Sequence, residues 1–169
     1  MKTVRGSYKK SKVDGAYAFS KWVRYRNGRW IPTRKRVFLY WFKFLVEAEK
    51  SDEYQVDWSK YKGWGGSRVI LSTKFDDWWE ERWEDLFSTE SRDDEPRYNI
   101  STKSPKADAY KLRLMVWNLR NKPTPVIAIK TGLDWGQGFQ AYGDINRITN
   151  RHKKKAKEHL SNVSTGTFP

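Results

Sequence analysis

Residues 33–50 read TRKRVFLYWFKFLVEAEK, and this stretch decides the fold because it is the most apolar segment of the chain. Large apolar side chains between residues 37 and 46 leave almost no polar face in its middle. A helix that is apolar nearly all round belongs in a protein core, and this stretch is too short to span a bilayer. We therefore predict a central core helix, capped by Thr33, on which the rest of the chain packs.

The composition indicates an aromatic core in a chain of 169 residues, which fits one domain or two very small ones. Ten Trp, nine Tyr and eight Phe supply that core, and each well-buried ring contributes about 2 to 3 kcal/mol. The absence of cysteine excludes disulfides, thiolate metal sites and thiol nucleophiles. With no signal pattern and no apolar run of about 20 residues, we expect a soluble, cytoplasmic protein with no membrane partner.

The net charge of +14 is unevenly distributed. Residues 1–50 carry fourteen Lys or Arg against three acids, residues 51–100 seven against thirteen, and residues 101–169 thirteen against four. Two basic blocks that flank an acidic one predict two surfaces for a polyanion. DNA, RNA and anionic membrane surfaces all attract such blocks, so charge alone does not choose among them.

The N-terminal basic block begins with a predicted flexible arm, residues 1–13, which is poor in apolar residues. In this arm Lys9, Lys10 and Lys12 would bind successive phosphates, or the arm is simply a solvated terminus.

A β-hairpin is predicted within residues 16–31, because an Asn-Gly pair at 27 and 28 separates two runs of aromatic and β-branched residues.

Six cations in and after this hairpin are candidate phosphate contacts. The hairpin arginines are interleaved with Tyr25 and Trp30, which suits stacking as well as charge, although charged hairpin tips also serve solubility. Three further cations at the start of the core helix oppose its dipole, which indicates a role outside the fold. The two sets are Arg24, Arg26 and Arg29, and Arg34, Lys35 and Arg36.

A second helix is predicted to start near Ser72 or Thr73, after a glycine-rich loop around Trp64, with aromatic residues at helical spacing. Its other positions are acidic and could be ligands for Mg²⁺ in a nuclease. We favour a solvated helix face, since no companion Lys or His stands at nuclease-motif spacing. The acids are Asp76, Asp77, Glu80, Glu81, Glu84 and Asp85.

The next segment, residues 88–105, is polar and rich in turn formers, so we expect an exposed loop or linker there. A third helix is predicted from Ser104 and Pro105 to Asn121. A short helix follows in PVIAIKTGL, capped by Thr124 and ended by Gly132.

This short helix resembles the first helix and turn of a helix-turn-helix motif, because a small residue, Ala128, and the turn glycine, Gly132, lie four apart. Three glycines, at 136, 138 and 143, interrupt the position of a recognition helix. Either the turn is enlarged or recognition starts only at Asp144. The other interpretation is an ordinary capped helix followed by a loop.

The last helix is predicted to start at Asp144 and to carry a dense basic face. Ile145, Ile148, His152, Ala156, Leu160 and Val163 fall on its inward side by spacing. The cations on the outward side can bind phosphates. Its asparagine and arginine side chains are of the types that form hydrogen bonds with base edges in a major groove. The candidate contacts are Asn146, Arg147, Asn150, Arg151, Lys153, Lys154, Lys155 and Lys157.

No metal, cofactor or catalytic constellation is predicted anywhere in the sequence. The two histidines, His152 and His159, are seven residues apart, which is about 10 Å along a helix. That spacing is too long for both to bind one metal ion.

Four runs resemble sequences of small, uncharacterised basic proteins carried by bacterial phages and integrating elements, sometimes beside tyrosine recombinases. The runs are YWFKFLVEAE, VDWSKYKGWGG, FDDWWEERWEDLF and KKAKEHLSNVSTGTFP. They cover about a third of the chain, and the resemblance transfers no catalytic residue. It implies a setting of mobile DNA, and therefore favours DNA over RNA as the polyanion.

We thus predict a mainly α fold of four to five helices with a small N-terminal β-hairpin and a helix-turn-helix-like C-terminal half. The predicted parts are the arm 1–13, an aromatic-core part 14–90, a linker 91–104 and a basic C-terminal part 105–169.

The predicted function is a non-enzymatic DNA-binding accessory or regulatory protein of a phage or mobile element, with RNA as the alternative nucleic acid. A nuclease or recombinase subunit is the enzymatic alternative. A third is a phage protein that binds a virion or host-defence protein through exposed tryptophans. Those tryptophans are Trp58, Trp64, Trp78 and Trp135.

Overall fold

The computed structural model describes residues 9–10, 17–18, 22–133 and 139–169, and this part of the chain is mainly helical. Its helices are α1 (Lys35–Lys50), α2 (Gly66–Ser72), α3 (Phe75–Phe87), α4 (Ala107–Asn118), α5 (Thr124–Thr131) and α6 (Phe139–Ser164). Its strands are β1 (Lys9–Lys10), β2 (Tyr17–Ala18), β3 (Val23–Arg24) and β4 (Trp30–Ile31). β1 pairs with β2 and β3 with β4, both antiparallel. The predicted fold class, mainly α with a small N-terminal hairpin, is confirmed.

The hairpin turn lies where the Asn-Gly pair predicts it. Asn27 has a φ of 58° and Gly28 a φ of 76°, in the region that this turn requires. The strands on either side are shorter than the predicted span, because pairing is confined to Val23 with Ile31 and Arg24 with Trp30.

Helix α1 is the core helix that the opening stretch predicts. Phe38, Phe44, Leu45 and Ala48 are completely buried, and α2, α4 and α6 pack against the helix. The predicted cap is wrong. The residue at the N-cap is Arg34, which makes no side-chain capping bond, and Thr33 is buried.

Helix α3 packs on α1 through aromatic rings, as its apolar stripe predicts. The ring centroids of Phe38 and Phe87 lie 4.3 Å apart, and those of Phe42 and Trp78 lie 5.0 Å apart. The helix starts at Phe75, slightly later than predicted. The short helix α2 before it was not predicted, because three glycines at 63, 65 and 66 indicated a loop.

Two of the four tryptophans proposed as interface anchors belong to the core. Trp64 and Trp78 have no exposed surface, and their ring centroids are 4.8 Å apart. The indole nitrogen of Trp78 donates to the carbonyl of Trp64 at 2.8 Å. The expectation of exposure was wrong for both, because the glycine-rich segment turns Trp64 towards Trp41 and α3 packs Trp78 against Phe42 of α1. Trp58 is half-buried, and Trp135 lies outside the described residues.

The predicted linker is held against the fold. Tyr98 donates from its backbone to the carbonyl of Leu86 at 2.9 Å and from its hydroxyl to the carbonyl of Lys62 at 2.8 Å. Ser101 donates to the carbonyl of Phe168 at 2.8 Å. The following helix starts at Ala107, after the predicted Ser104 and Pro105.

The short helix α5 ends as predicted, at Gly132 with a φ of 69°, and Leu133 donates back to the carbonyl of Ala128 at 3.0 Å. Its predicted cap is wrong, because Pro123 occupies the N-cap and Thr124 is already helical. The connection to α6 spans residues 132–138, of which 134–138 lie outside the described part. It is longer than the three to four residues of a tight helix-turn-helix.

Helix α6 starts at Phe139, before the predicted Asp144. Asp144 is inside the helix and accepts a bond from Arg147 one turn later, at 2.9 Å, so it does not cap. The inward face is confirmed at Ile145, Ala156, Leu160 and Val163, which are all completely buried.

The segment after α6 returns into the core. Phe168 is completely buried, and its ring lies 4.9 Å from that of Tyr110 and 5.9 Å from that of Trp41. A single hydrophobic cluster runs from Ile31 to Phe168, so the two main predicted parts share one core. None of the described helices has the length and apolar character needed to cross a membrane.

Candidate nucleic-acid interface

Three acids of α3 form ion pairs with cations of the N-terminal basic block. They are spaced four residues apart, and each pairs with one cation. Residues four apart in a helix lie on one face, so the acids form a row along α3. These exposed ion pairs are Lys35 with Asp76 at 2.6 Å, Arg26 with Glu80, and Arg29 with Glu84 at 3.7 Å. The acidic middle segment therefore neutralises part of the N-terminal block within the molecule.

Arg26 and Arg29 dock the hairpin onto α3. Hydrogen bonds to Glu80 and Tyr25 raise the pKa of Arg26 above its ordinary value, and its guanidinium lies 5.2 Å from the ring centre of Tyr25. Arg29 donates from Nε to the hydroxyl of Ser88 at 2.6 Å. These contacts give both arginines a role in holding the hairpin.

The α3 acids, proposed as Mg²⁺ ligands under the nuclease alternative, are exposed, and all of them except Asp77 have an ion pair with a cation in the described part of the chain. Asp85 likewise pairs with Arg97 at 2.7 Å. Across the described ranges, no group of three or more His, Asp or Glu residues could hold a metal ion.

The other N-terminal candidates are placed differently. Arg36 pairs with Asp108 at 2.7 Å and so links α1 to α4. Arg24 and Arg34 are exposed, and neither forms an ion pair with a carboxylate in the described part of the chain. Lys9 and Lys10 form β1, and Lys12 lies outside the described residues.

Helix α6 presents the clearest group of exposed cations. Arg151 and Lys154 lie three residues apart on its outer side and have no ion pair with any carboxylate that the structure describes. Three neighbouring cations pair with exposed carboxylates, and such contacts are weak. These contacts are Arg147 with Asp144 at 2.9 Å, Lys155 with Glu158 at 2.5 Å and Lys157 with Glu53 at 4.0 Å.

Lys153 differs from its neighbours because its Nζ donates to the backbone carbonyl of Arg120 at 3.1 Å, just beyond the end of α4. A cation there complements the negative end of the helix dipole. The guanidinium of Arg120 in turn stacks 4.2 Å from the ring centre of Trp117. Lys153 thus connects α6 to α4.

The two asparagines of α6 that were predicted to contact base edges differ in exposure. Asn150 is exposed and Asn146 is half-buried.

Three exposed lysines outside α6 were not singled out by sequence. Lys111 on α4, Lys130 on α5 and Lys122 between them form no ion pair with a described carboxylate. Since α4, α5 and α6 pack on one another, these lysines extend the basic character of one three-helix unit. The charge excess of residues 101–169 is the sequence signal that points to them.

The two histidines have separate environments in α6. Burial lowers the pKa of His159 to about 4, and the adjacent Arg113 lowers it further. Burial also lowers the pKa of His152, with Arg113 and Arg151 adding to the effect. Both imidazoles are therefore neutral at pH 7 and add nothing to the basic surface.

Comparison with known proteins gives no relative that fixes an activity. No protein-family model, curated protein or solved structure matches this chain.

Proposed function

We propose that this protein is a non-enzymatic DNA-binding accessory or regulatory protein of a phage or integrating element, and that it grips duplex phosphates with the basic surface of α4, α5 and α6. The observation that carries the proposal is the pair Arg151 and Lys154, exposed side by side on α6 without carboxylate partners among the described residues. Unpaired cations on one face release counterions when they meet phosphates.

The two basic blocks differ in how many of their cations are paired with acids, and this difference favours the C-terminal unit as the main phosphate contact. Lys35, Arg26 and Arg29 are already opposed by acids of α3, which reduces their attraction for a phosphate. We therefore give the main contact to α6 and a secondary one to Arg24, Arg34 and the lysines of the N-terminal arm.

The dimensions of α6 suit a duplex. Its 26 residues extend over about 39 Å at 1.5 Å per residue, and a major groove admits one α-helix. Asn150 and Arg151 are exposed on the helix and are of types that bond adenine and guanine edges. The exposed pairs of Arg147, Lys155 and Lys157 are weak enough to exchange for phosphates.

The choice of DNA over RNA and of a mobile element as the setting rests on the sequence resemblance described above. The nuclease alternative gains no support, because four of the six α3 carboxylates pair with Lys35, Arg26, Arg29 and Arg97. The protein-binding alternative loses Trp64 and Trp78 as anchors, since both are buried.

The decisive experiment compares two double variants with the same change in net charge. Arg151→Glu with Lys154→Glu alters the proposed surface, whereas Lys62→Glu with Lys74→Glu alters exposed lysines outside α4 to α6. Gel-shift titrations would use duplex DNA, single-stranded DNA and RNA of one sequence over a range of salt.

We expect the α6 variant to lose at least about tenfold in duplex affinity at about 150 mM salt and to reduce the salt slope by about 2, since two phosphate contacts are lost. The control variant should bind almost as the wild type does. Equal losses in both variants would show that only the total charge matters, and unchanged binding in the α6 variant would contradict the proposal.

A further inference from the structure

A pocket of about 310 Å³ lies between the start of α4 and the last turns of α6. Three cations line it, namely Lys106, Arg113 and Lys155, and hydroxyl and amide groups from Thr102, Ser104 and Asn162 complete its polar wall. Among the described lining residues the one acid is Glu158, whose carboxylate is held by Lys155 at 2.5 Å. The lining therefore has an excess of positive charge and of hydrogen-bond donors.

Arg113 and His159 are fixed together in the wall of this pocket. Nη1 of Arg113 lies 2.8 Å from Nε2 of His159. Because a guanidinium can only donate, Nε2 must accept, and the imidazole proton therefore lies on Nδ1. Tyr110, Phe44 and Phe168 surround the ring, and His159 is only 5% exposed.

Two buried donors of this pair have no acceptor among the described residues. They are Nε of Arg113 and Nδ1 of His159. A buried donor without an acceptor is destabilising. Arg113 also forms no ion pair with a described carboxylate, although it is half-buried. The wall thus carries a cation whose charge the described part of the protein does not neutralise.

The N-terminus of α4 adds to the positive electrostatic potential in the pocket. The helix has 12 residues, and its N-cap residue, Lys106, makes no side-chain capping bond. The amide groups of the first turn carry the positive end of the helix dipole, and such ends bind phosphate groups. Lys106 itself lines the pocket, so the dipole and the three cations act on the same volume.

From these contacts we infer that the pocket between α4 and α6 is a binding site for a phosphate monoester. Its volume is at the small end of the range for ligand sites, about 300 Å³, which suits a phosphate group on a small organic body. In Arg113, Nη1 is bonded to His159 and Nε is buried, so Nη2 is the donor left to meet a phosphate oxygen. Lys106 and Lys155 contribute point charges, and the Ser104 hydroxyl can donate to a remaining oxygen, whereas the Asn162 amide already donates to the carbonyl of Pro169 at 2.8 Å.

This site is separate from the proposed duplex contact at Arg151 and Lys154, and the inference does not depend on that function. Neither of those residues lines the pocket. The shared chemistry is a phosphate monoester, which can belong to a free small molecule or to the 5′ end of a DNA strand.

The test is isothermal titration calorimetry of the full chain with inorganic phosphate and then with a 5′-mononucleotide. We expect saturable binding at a ratio of one to one with a Kd below about 1 mM. Arg113→Gln and Lys106→Gln should each weaken binding at least tenfold. Lys62→Gln changes an exposed lysine outside both the pocket and the α4 to α6 surface; it is the matched control and should bind as the wild type does.

Two readouts separate binding from folding. Thermal unfolding of each variant without ligand shows whether it is folded, and Lys106→Gln, which changes an exposed side chain, keeps the test valid if Arg113→Gln is unstable. The imidazole ¹⁵N signals of His159 should shift on addition of phosphate to the wild type. No saturable heat up to about 10 mM phosphate, or equal affinity in all variants, would overturn the inference.

Competition then identifies the source of the phosphate. A duplex with 5′-phosphates that displaces the mononucleotide at lower concentration than its 5′-hydroxyl counterpart assigns the site to DNA ends. Equal displacement by the two duplexes assigns it to a free phosphorylated molecule. The double variant Arg151→Glu with Lys154→Glu should retain phosphate binding, so failure of either proposal leaves the other standing.

Discussion

Nη1 of Arg113 lies 2.8 Å from Nε2 of His159, so an arginine that can only donate fixes the tautomer of a buried histidine. The same contact makes protonation of His159 unfavourable, because a protonated ring has no acceptor to offer Arg113. Burial is the larger cause, and together the two lower the pKa of His159 to about 4.

Stability is therefore expected to fall in mild acid. The pKa of His159 is about 4 in the folded protein and about 6.5 in an unfolded chain. Between these two pH values the unfolded state binds more protons than the folded state. The free energy of unfolding is therefore unaffected by His159 above about pH 6.5, and it decreases by up to about 3 kcal/mol as the pH falls towards 4. Urea unfolding from pH 7.5 to 4 measures this loss.

His159→Gln is the variant for this measurement, since its amide can accept from Arg113 but does not titrate. Its stability should fall less steeply between about pH 6.5 and 4. His152 also has a lowered pKa, so His152→Gln serves as a comparison that should change the slope less. An identical pH profile for His159→Gln and the wild type would contradict the assignment.

Phe168→Ala is expected to destabilise the protein by about 3 to 5 kcal/mol, because it opens a cavity between Trp41, Phe44 and Tyr110. Phe168→Leu keeps most of the apolar volume and should cost clearly less. Urea midpoints with unchanged m values measure both. A loss of less than about 1 kcal/mol for Phe168→Ala would mean that the segment after α6 does not contribute to the core.

Neutralising the acidic row of α3 should increase DNA binding. In the triple variant Asp76→Asn, Glu80→Gln and Glu84→Gln, the cations Lys35, Arg26 and Arg29 lose their carboxylate partners and become available to phosphates. Duplex affinity should rise, and the salt slope should become steeper by up to about 3.

Asp93→Asn with Asp94→Asn and Glu95→Gln is the control for this triple variant, because it makes the same change in net charge at exposed acids outside α3. Only the α3 variant should show the steeper slope in gel shifts over a salt series. Equal effects in both variants would show that the hairpin side makes no local contact with DNA.

Gly166→Ala and Gly143→Ala should have opposite effects on stability. Gly166 has a φ of +91°, and an added Cβ would lie 2.5 Å from Cβ of Lys60, so alanine there should cost about 1 to 3 kcal/mol. Gly143 is in α6, where an added Cβ has no described side-chain atom within 4 Å, and alanine should stabilise the helix by about 0.5 to 1 kcal/mol. Thermal unfolding compares the two directly.

The spacing of apolar residues along the sequence predicts most of the helices. Helix α1, the apolar stripe of α3 and the inward face of α6 follow from spacing, because burial of a continuous apolar surface dominates over local detail. The boundaries were less predictable. Asp144 and Thr124 are good caps by type, yet both are inside helices, since packing of α5 and α6 extends each helix beyond its local signal.

The short helix α2 and the burial of Trp64 could not be read from the sequence around them. Glycines at 63, 65 and 66 indicated an exposed loop, whereas all three adopt positive φ values that turn the chain inward. This turn brings Trp64 to within 5.3 Å of Trp41, measured between ring centroids. A contact between residues so far apart depends on tertiary packing, on which local spacing carries no information.

The candidate interface was predictable only as a charge excess. The sequence shows which residues are cationic, but it does not show that Arg26, Arg29 and Lys35 face acids of α3 while Arg151 and Lys154 do not. The spacing of Asp76, Glu80 and Glu84 at four residues marks a continuous acidic row. Which cations that row would meet depends on how the hairpin docks.

The position of Phe168 in the core also has a consequence for protein synthesis. Helix α1 is translated before the rings that cover it, which include Trp64 and Trp78, and then Phe168 at the far end of the described chain. Until Phe168 has left the ribosome, the aromatic surface of Trp41 and Phe44 has no complete cover. The core therefore closes only after the segment that follows α6 has emerged, and until then its most apolar helix is open to non-native contacts.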